Sequence, residues 1–138
     1  MRAEEPYPPA VLARIRALCE ASPDAEACGV VLRRGGALEV LPLDNVARDR
    51  RDRFELAPLA LLRVQRALDA DGGAIAAVWH SHVEAAATFS ARDREGALVD
   101  GRPVLPGAEQ LVVSVRGGRA VEVRRYVLDG REFVEAEV

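Results

Sequence analysis

At 138 residues the chain is long enough for one domain that buries a real core, and 49% hydrophobic with 30% charged residues excludes a disordered polymer. A formal charge of −3, with the two signs interleaved, leaves neither a basic footprint for nucleic acid nor a cationic helix for a membrane surface. No apolar run nears the ~20 residues a membrane span requires, and two cysteines, Cys19 and Cys28, are too few for a disulfide framework.

The opening MRAEEPYPPA carries acidic residues and prolines where a signal peptide needs an apolar stretch, so a cytoplasmic protein is expected. Pro8 and Pro9 suit a helix entrance, and Val11, Leu12, Ile15, Leu18 and Cys19 recur at helical spacing. That predicts a first amphipathic helix ending near Ser22-Pro23. CGVVLRR and ALEVLPL, joined at Gly35-Gly36, read as a β-hairpin. The charged stretch from Asp44 to Arg53 reads as a surface loop. Leu61, Val64 and Leu68 mark a second helix from about Pro58 to the stop at Asp71-Gly72-Gly73. AIAAVWHSH follows as an apolar strand, and after an alanine-rich connector Ser90 opens a third helix running to about Asp100. LVVSV and AVEVRRYVL flank Arg116-Gly117-Gly118-Arg119 as a second hairpin, and Asp129-Gly130 turns the chain into a last strand, REFVEAEV. With aromatics at only 4%, the core must rest on Ala, Val and Leu. The whole reads as one domain over residues 1–138, an α/β or α+β sandwich around one mixed sheet.

The only two histidines stand as His80-Ser81-His82. On a strand, alternate side chains share a face, so the two imidazoles point the same way and Ser81 points to the opposite layer. Two neutral imidazoles side by side form half of a tetrahedral zinc site. Periodicity offers Glu84 as a third ligand if the strand continues, and Asp93 as its rival from the start of the next helix. Ser90 and Asp93 share a helical face, and Ser-x-x-Asp is also a capping signature that competes for the same oxygens. Glu26, just before Cys28-Gly29, reads either as a solvated loop carboxylate or as the base a metal hydrolase needs.

His80-x-His82, seven residues, Ser90, two residues, Asp93, with Glu26 upstream of Cys28-Gly29, resembles the JAMM (JAB1/MPN/Mov34) metalloenzymes. The pattern is specific because four chemically particular residues fall at fixed offsets. Trp79, Asn45, Phe54 and the closing strands resemble the bacterial stand-alone members, so the likeness spans roughly residues 8–135. The resemblance implies an MPN fold, related in architecture to cytidine deaminases, with a mixed sheet flanked by helices. It implies one Zn²⁺ per chain on His80, His82 and Asp93, which decides for Asp93 over Glu84. It also implies Glu26 as general acid/base and Ser90 as hydrogen-bond donor to the tetrahedral intermediate.

Two departures stand out. Val83 and Phe89 replace the prolines usual after the second His and before the Ser, which predicts a less rigid connector between the ligands. The insertions with which eukaryotic deubiquitinases grip a second ubiquitin are also missing. Cys28 reads as a small buried residue and Cys19 as part of the first helix's apolar face. The Arg48–Arg53 run reads as solvated, and Asn45 as a turn residue. All 19 basic residues are arginine, as a GC-rich genome would give; the chain therefore offers no lysine to a lysine-directed conjugation.

What the resemblance implies is a zinc metalloprotease or isopeptidase cleaving an amide at the Gly-Gly end of a ubiquitin-like or sulfur-carrier protein. A zinc peptidase or amidase on small peptides is the alternative. A non-catalytic MPN scaffold module is the third reading, although such modules typically lack part of the metal motif that this chain keeps whole. No nucleic acid or membrane partner is expected, and the sequence indicates no oligomeric state.

Overall fold

The computed structural model describes residues 7–138; the first six, part of the stretch read above as unlike a signal peptide, lie outside the described residues. The first helix, α1 (Pro9–Glu20), has Pro8 at its N-cap and buries Val11, Ile15 and Cys19, spaced four apart on one face. β1 (Cys28–Arg34) and β2 (Ala37–Leu43) pair across Gly35-Gly36, whose φ values of 54° and 88° give the doubly left-handed turn that tight hairpins favour. α2 (Pro58–Asp71) stops at Gly72, left-handed at φ 72°, whose N–H caps the Leu68 carbonyl. β3 (Ala74–Val83) carries the histidines and is followed by α3 (Ala91–Ala97). The chain closes with β6 (Glu109–Arg116), β7 (Arg119–Asp129) and β8 (Glu132–Ala136).

The third helix is shorter than expected. It ends at Ala97 rather than near Asp100, and β4 (Leu98–Val99) and β5 (Arg102–Pro103) form a small hairpin of their own. Asp100 and Gly101 both hold positive φ, 53° and 75°, so Asp-Gly acts as a hairpin turn and breaks the helix.

The main sheet runs β2-β1-β3-β6-β7-β8, antiparallel throughout except for the parallel pair β3 and β6. This is a mixed α+β architecture with helices on both faces of one sheet. Strand alternation sorts the core: Val31, Ala77, Trp79, Leu111, Val113 and Val115 pack with Ile15 and Cys19 of α1. Val30, Leu32 and Val78 turn the other way, against Leu68 of α2. Trp79 packs against Gly29, where a Cβ would come within 2.5 Å of its ring and 2.3 Å of the Leu41 carbonyl. Its indole N–H donates to the Val30 carbonyl at 3.2 Å, tying β3 to β1 beside the histidines. Among the described residues no helix is long and apolar enough to cross a membrane.

Candidate metal centre

β3 is a central strand, and its last residues stand between β1 and β6: His80 opposite Cys28 and Val112, His82 opposite Ser114. Strand alternation sends both imidazoles to the α2 face, while Ser81 points the other way and is fully buried. Asp93, in the first turn of α3, meets them. Its Oδ1 lies 3.2 Å from His80 Nε2 and its Oδ2 3.0 Å from His82 Nε2. The two Nε2 atoms are 3.1 Å apart.

The protons can be placed. His82 Nδ1 lies 2.8 Å from the Ala86 carbonyl, which only accepts, so Nδ1 carries the hydrogen. In neutral His82 the Nε2 lone pair then faces the Asp93 carboxylate and the other imidazole. Such convergence of lone pairs calls for a shared proton or a cation. The Asp93 carboxylate holds His82 protonated above its ordinary value: burial opposes the charge, but bonds to Asp93 and to the Ala86 carbonyl outweigh it. His80 is pushed the other way by complete burial, which outweighs its bond to Asp93. Asp93 in turn sits far below the usual carboxylate range; burial raises it, but the His80 and His82 bonds prevail.

His80, His82 and Asp93 could hold a metal ion, each offering one donor atom, all within 4.8 Å of one another. The donor set fits zinc in number and kind. Donors about 2.0–2.1 Å from a tetrahedral ion would stand roughly 3.3 Å from each other, close to the separations above. The Ala86 carbonyl fixes the His82 tautomer that leaves Nε2 free, as backbone carbonyls do behind metal-bound histidines.

Ser90 is the N-cap of α3. Its Oγ accepts from the Asp93 N–H at 3.0 Å, and Asp93 Oδ2 accepts from the Ser90 N–H at 3.0 Å. The expected competition for oxygens does not arise. A carboxylate offers about four acceptor positions, so Asp93 closes the capping box and still faces both imidazoles. The Ser90 hydroxyl, occupied as an acceptor, keeps its own proton to donate.

Glu84 is not on the histidine face. The strand ends at Val83, Glu84 turns to φ 53°, and its carboxylate accepts from the Gly117 N–H at 2.7 Å. The connector is not loose either, despite lacking prolines. Glu84 N–H donates to Val115, and the Ala85, Ala86 and Ala87 carbonyls accept from Ser114, His82 and Tyr126. Phe89 packs between Tyr126 and Phe133, ring centres 5.4 and 4.8 Å away. Hydrogen bonds at successive residues replace the rigidity of the missing prolines.

Glu26 is no solvated carboxylate. It is 5% exposed, its Oε1 is buried with no protein partner, and burial lifts its pKa to about 8, helped by Asp93 and Asp52 and opposed by His82 and Arg92. A carboxyl of that kind trades protons near neutral pH. Phe54 covers His80, ring centres 4.2 Å apart and 22° from parallel. Cys28 is buried, its thiol 3.5 Å from the Leu43 carbonyl; burial and then the nearby Glu26 push it up to about 12, which keeps it a protonated thiol. Sequence reasoning missed the loop after β2. The side chains of the arginine run are exposed, but the Arg50 carbonyl takes the Glu26 N–H at 2.6 Å and the Asp52 carbonyl takes Arg92 at 3.3 Å.

A mixed sheet between helices, with a His-x-His strand facing an Asp in the first turn of a Ser-capped helix, defines a class of α+β domain whose converging donors could hold a metal ion. The chain belongs to the prokaryotic homologues of the JAB domain, whose family model it matches over residues 8–129. It is 30% identical over 131 residues to Desampylase of Haloferax volcanii, covering 93% of this chain and 87% of that protein. Two solution structures share the fold. A Desulfitobacterium hafniense protein superposes with a TM-score of 0.72 at 22% identity, over 94% of this chain and 87% of that one. A Salinibacter ruber protein superposes with 0.65 at 25% identity, over 97% and 90%.

Proposed function

We propose that the protein is a zinc-dependent isopeptidase that hydrolyses the amide after the C-terminal Gly-Gly of a ubiquitin-like or sulfur-carrier protein. The observation that carries this reading is the buried Glu26 carboxyl, whose Oε1 has no protein partner and which lies within electrostatic reach of His82 and Asp93, two of the converging donors. The name of the Haloferax relative, Desampylase, supports a ubiquitin-like modifier as the substrate class.

In this reading His80, His82 and Asp93 hold one zinc ion. When bound, zinc supplies Lewis acidity, polarising the scissile carbonyl and making water acidic enough to ionise near neutral pH. Glu26 takes the proton of the attacking water on its buried oxygen and hands it to the departing amine; a pKa near the working pH lets one group do both. The Ser90 hydroxyl donates to the oxyanion as charge develops there. Losing one such donor costs on the order of 100-fold in other hydrolases. A cavity of about 200 Å³, lined by Phe54, Leu56, Leu61, Leu105 and Phe133, opens beside Asp93 and offers an apolar seat for the chain leading to the glycines.

The test compares zinc-loaded with chelator-treated protein on two probes: a ubiquitin-like protein joined through Gly-Gly to a reporter amine, and short Gly-Gly peptides. Zinc-dependent cleavage of the first is expected. Equal rates on both would favour the small-peptide reading, and no cleavage of either despite stoichiometric zinc would remove the enzyme assignment.

A further inference from the structure

Asn45 lies on no strand or helix of the sheet, yet its carboxamide meets four backbone groups. Nδ2 donates to the Glu26 carbonyl at 3.0 Å and to the Arg53 carbonyl at 3.0 Å. Oδ1 accepts from the Ala47 N–H at 3.0 Å and the Glu55 N–H at 3.1 Å. An amide side chain has two donor hydrogens and an oxygen with two lone pairs, so its hydrogen-bonding capacity is used in full. A turn needs less. The bonds to 47, 53 and 55 close the neck of the loop, where Val46 N–H also donates to Glu55 and Asn45 bridges Leu56. The fourth bond reaches back nineteen positions to Glu26.

Glu26 has no strand neighbour at its own position, since β1 begins at Cys28. Its peptide is gripped from the loop instead. Arg50 takes its N–H and Asn45 holds its carbonyl, while the following Ala27 exchanges two bonds with Ser81, its N–H to Oγ at 2.9 Å and its carbonyl from N–H at 3.0 Å. The same loop lays Phe54 on His80. We propose that Asn45 is a positioning residue for Glu26: by holding the Glu26 carbonyl and the loop neck together, it fixes where the buried carboxylate stands relative to His80, His82 and Asp93.

This rests on the reading of Glu26 as the base, so the variants include Glu26→Gln as a control. Asn45→Asp keeps both acceptor bonds of the loop neck and loses both donors; Asn45→Ala loses all four. On the Gly-Gly-linked reporter, both should lower kcat by about 10- to 100-fold, the scale at which an ångström of misplacement is felt, with KM within about twofold and one zinc per chain retained. A second readout needs no substrate. Chelator-treated wild type should lose stability from pH 5 to pH 7, because the unfolded chain releases a Glu26 proton that the folded chain, with Glu26 buried near His82, Asp93, Asp52 and Arg92, retains. In Asn45→Ala the carboxylate can reach solvent, and that loss should shrink. Wild-type kcat in folded Asn45→Asp, an unchanged pH slope in Asn45→Ala, or activity lost in step with zinc would overturn the inference. If Glu26→Gln is itself active, or wild type shows no slope, the fault lies with the base assignment and not with Asn45.

Discussion

Replacing Glu26 by Gln should abolish turnover and yet stabilise the metal-free fold in a pH-dependent way. The Glu26 pKa of about 8 in the folded chain compares with an ordinary 4.5. A raised carboxyl means the folded state keeps a proton that the unfolded state has released. Stability is therefore whole below about pH 4.5 and drains away as pH climbs toward 8. Each pH unit in that window withdraws about 1.4 kcal/mol, so from pH 5 to pH 7 the wild type loses on the order of 2.5 kcal/mol through this one group. Gln cannot ionise, so the difference between variant and wild type should grow by that amount over the same range. With a melting entropy near 2.1 cal/mol/K per residue, it corresponds to roughly 5–10 °C of relative Tm. The assay is thermal unfolding of both proteins in chelator at pH 5, 6 and 7. His82 and Asp93 are common to both proteins, so their own titrations largely cancel. Parallel Tm curves would refute the reasoning, because they would mean that Glu26 is solvated or already ionised at low pH.

His82→Ala should lower bound zinc and Tm together, because a ligand that holds metal only in the folded state lends its binding energy to folding; metal content by elemental analysis checks it. Ser90→Ala should reduce kcat with little change in KM and, through loss of the α3 cap, cost about 0.5–2 kcal/mol in denaturant unfolding; a pure rise in KM would assign Ser90 to binding instead. Gly29→Ala should destabilise by about 1–3 kcal/mol or more in the same assay, since the new methyl meets the Leu41 carbonyl as well as the Trp79 ring and backbone cannot step aside.

What the sequence made legible was whatever depends on local periodicity. The period of two along AVWHSH is enough to put both imidazoles on one face and Ser81 on the other, because past the irregularity at Ala76 β3 is regular from Ala77 through Val83. The same argument failed one step later. Extrapolating that period to Glu84 assumes the strand continues, and the φ of 53° there sends the carboxylate to the Gly117 N–H instead. The Asp100-Gly101 turn is signalled by its residue pair, whose positive φ values stop α3 at Ala97 where helical spacing alone continues it to about Asp100. Asn45 was beyond local reasoning altogether. Its partners at 26, 47, 53 and 55 lie on both sides of it in the chain, and no spacing rule links them. Buried Arg125 is similar: AVEVRRYVL gives no hint that one of its arginines is 1% exposed and paired through two nitrogens with Glu109 on β6.

The Ser90–Asp93 pair shows why reading a cap and a ligand as rivals misjudges the chemistry. A free aspartate at the end of a loop would sample several rotamers and pay to become ordered around an ion. The capping box removes that freedom beforehand, because the bond from the Ser90 N–H fixes Oδ2 while Asp93 N–H is held by Ser90 Oγ. The helix start thus aims the carboxylate at the two imidazoles before anything binds. The connector's bonds from Glu84 to Ala87 do the same for the distance between strand and helix. Pre-organisation of this kind comes from hydrogen bonds between backbone groups and the side chains of His82, Ser90, Asp93, Ser114 and Tyr126, none of which needs a proline, and so it survives the loss of the prolines from the sequence.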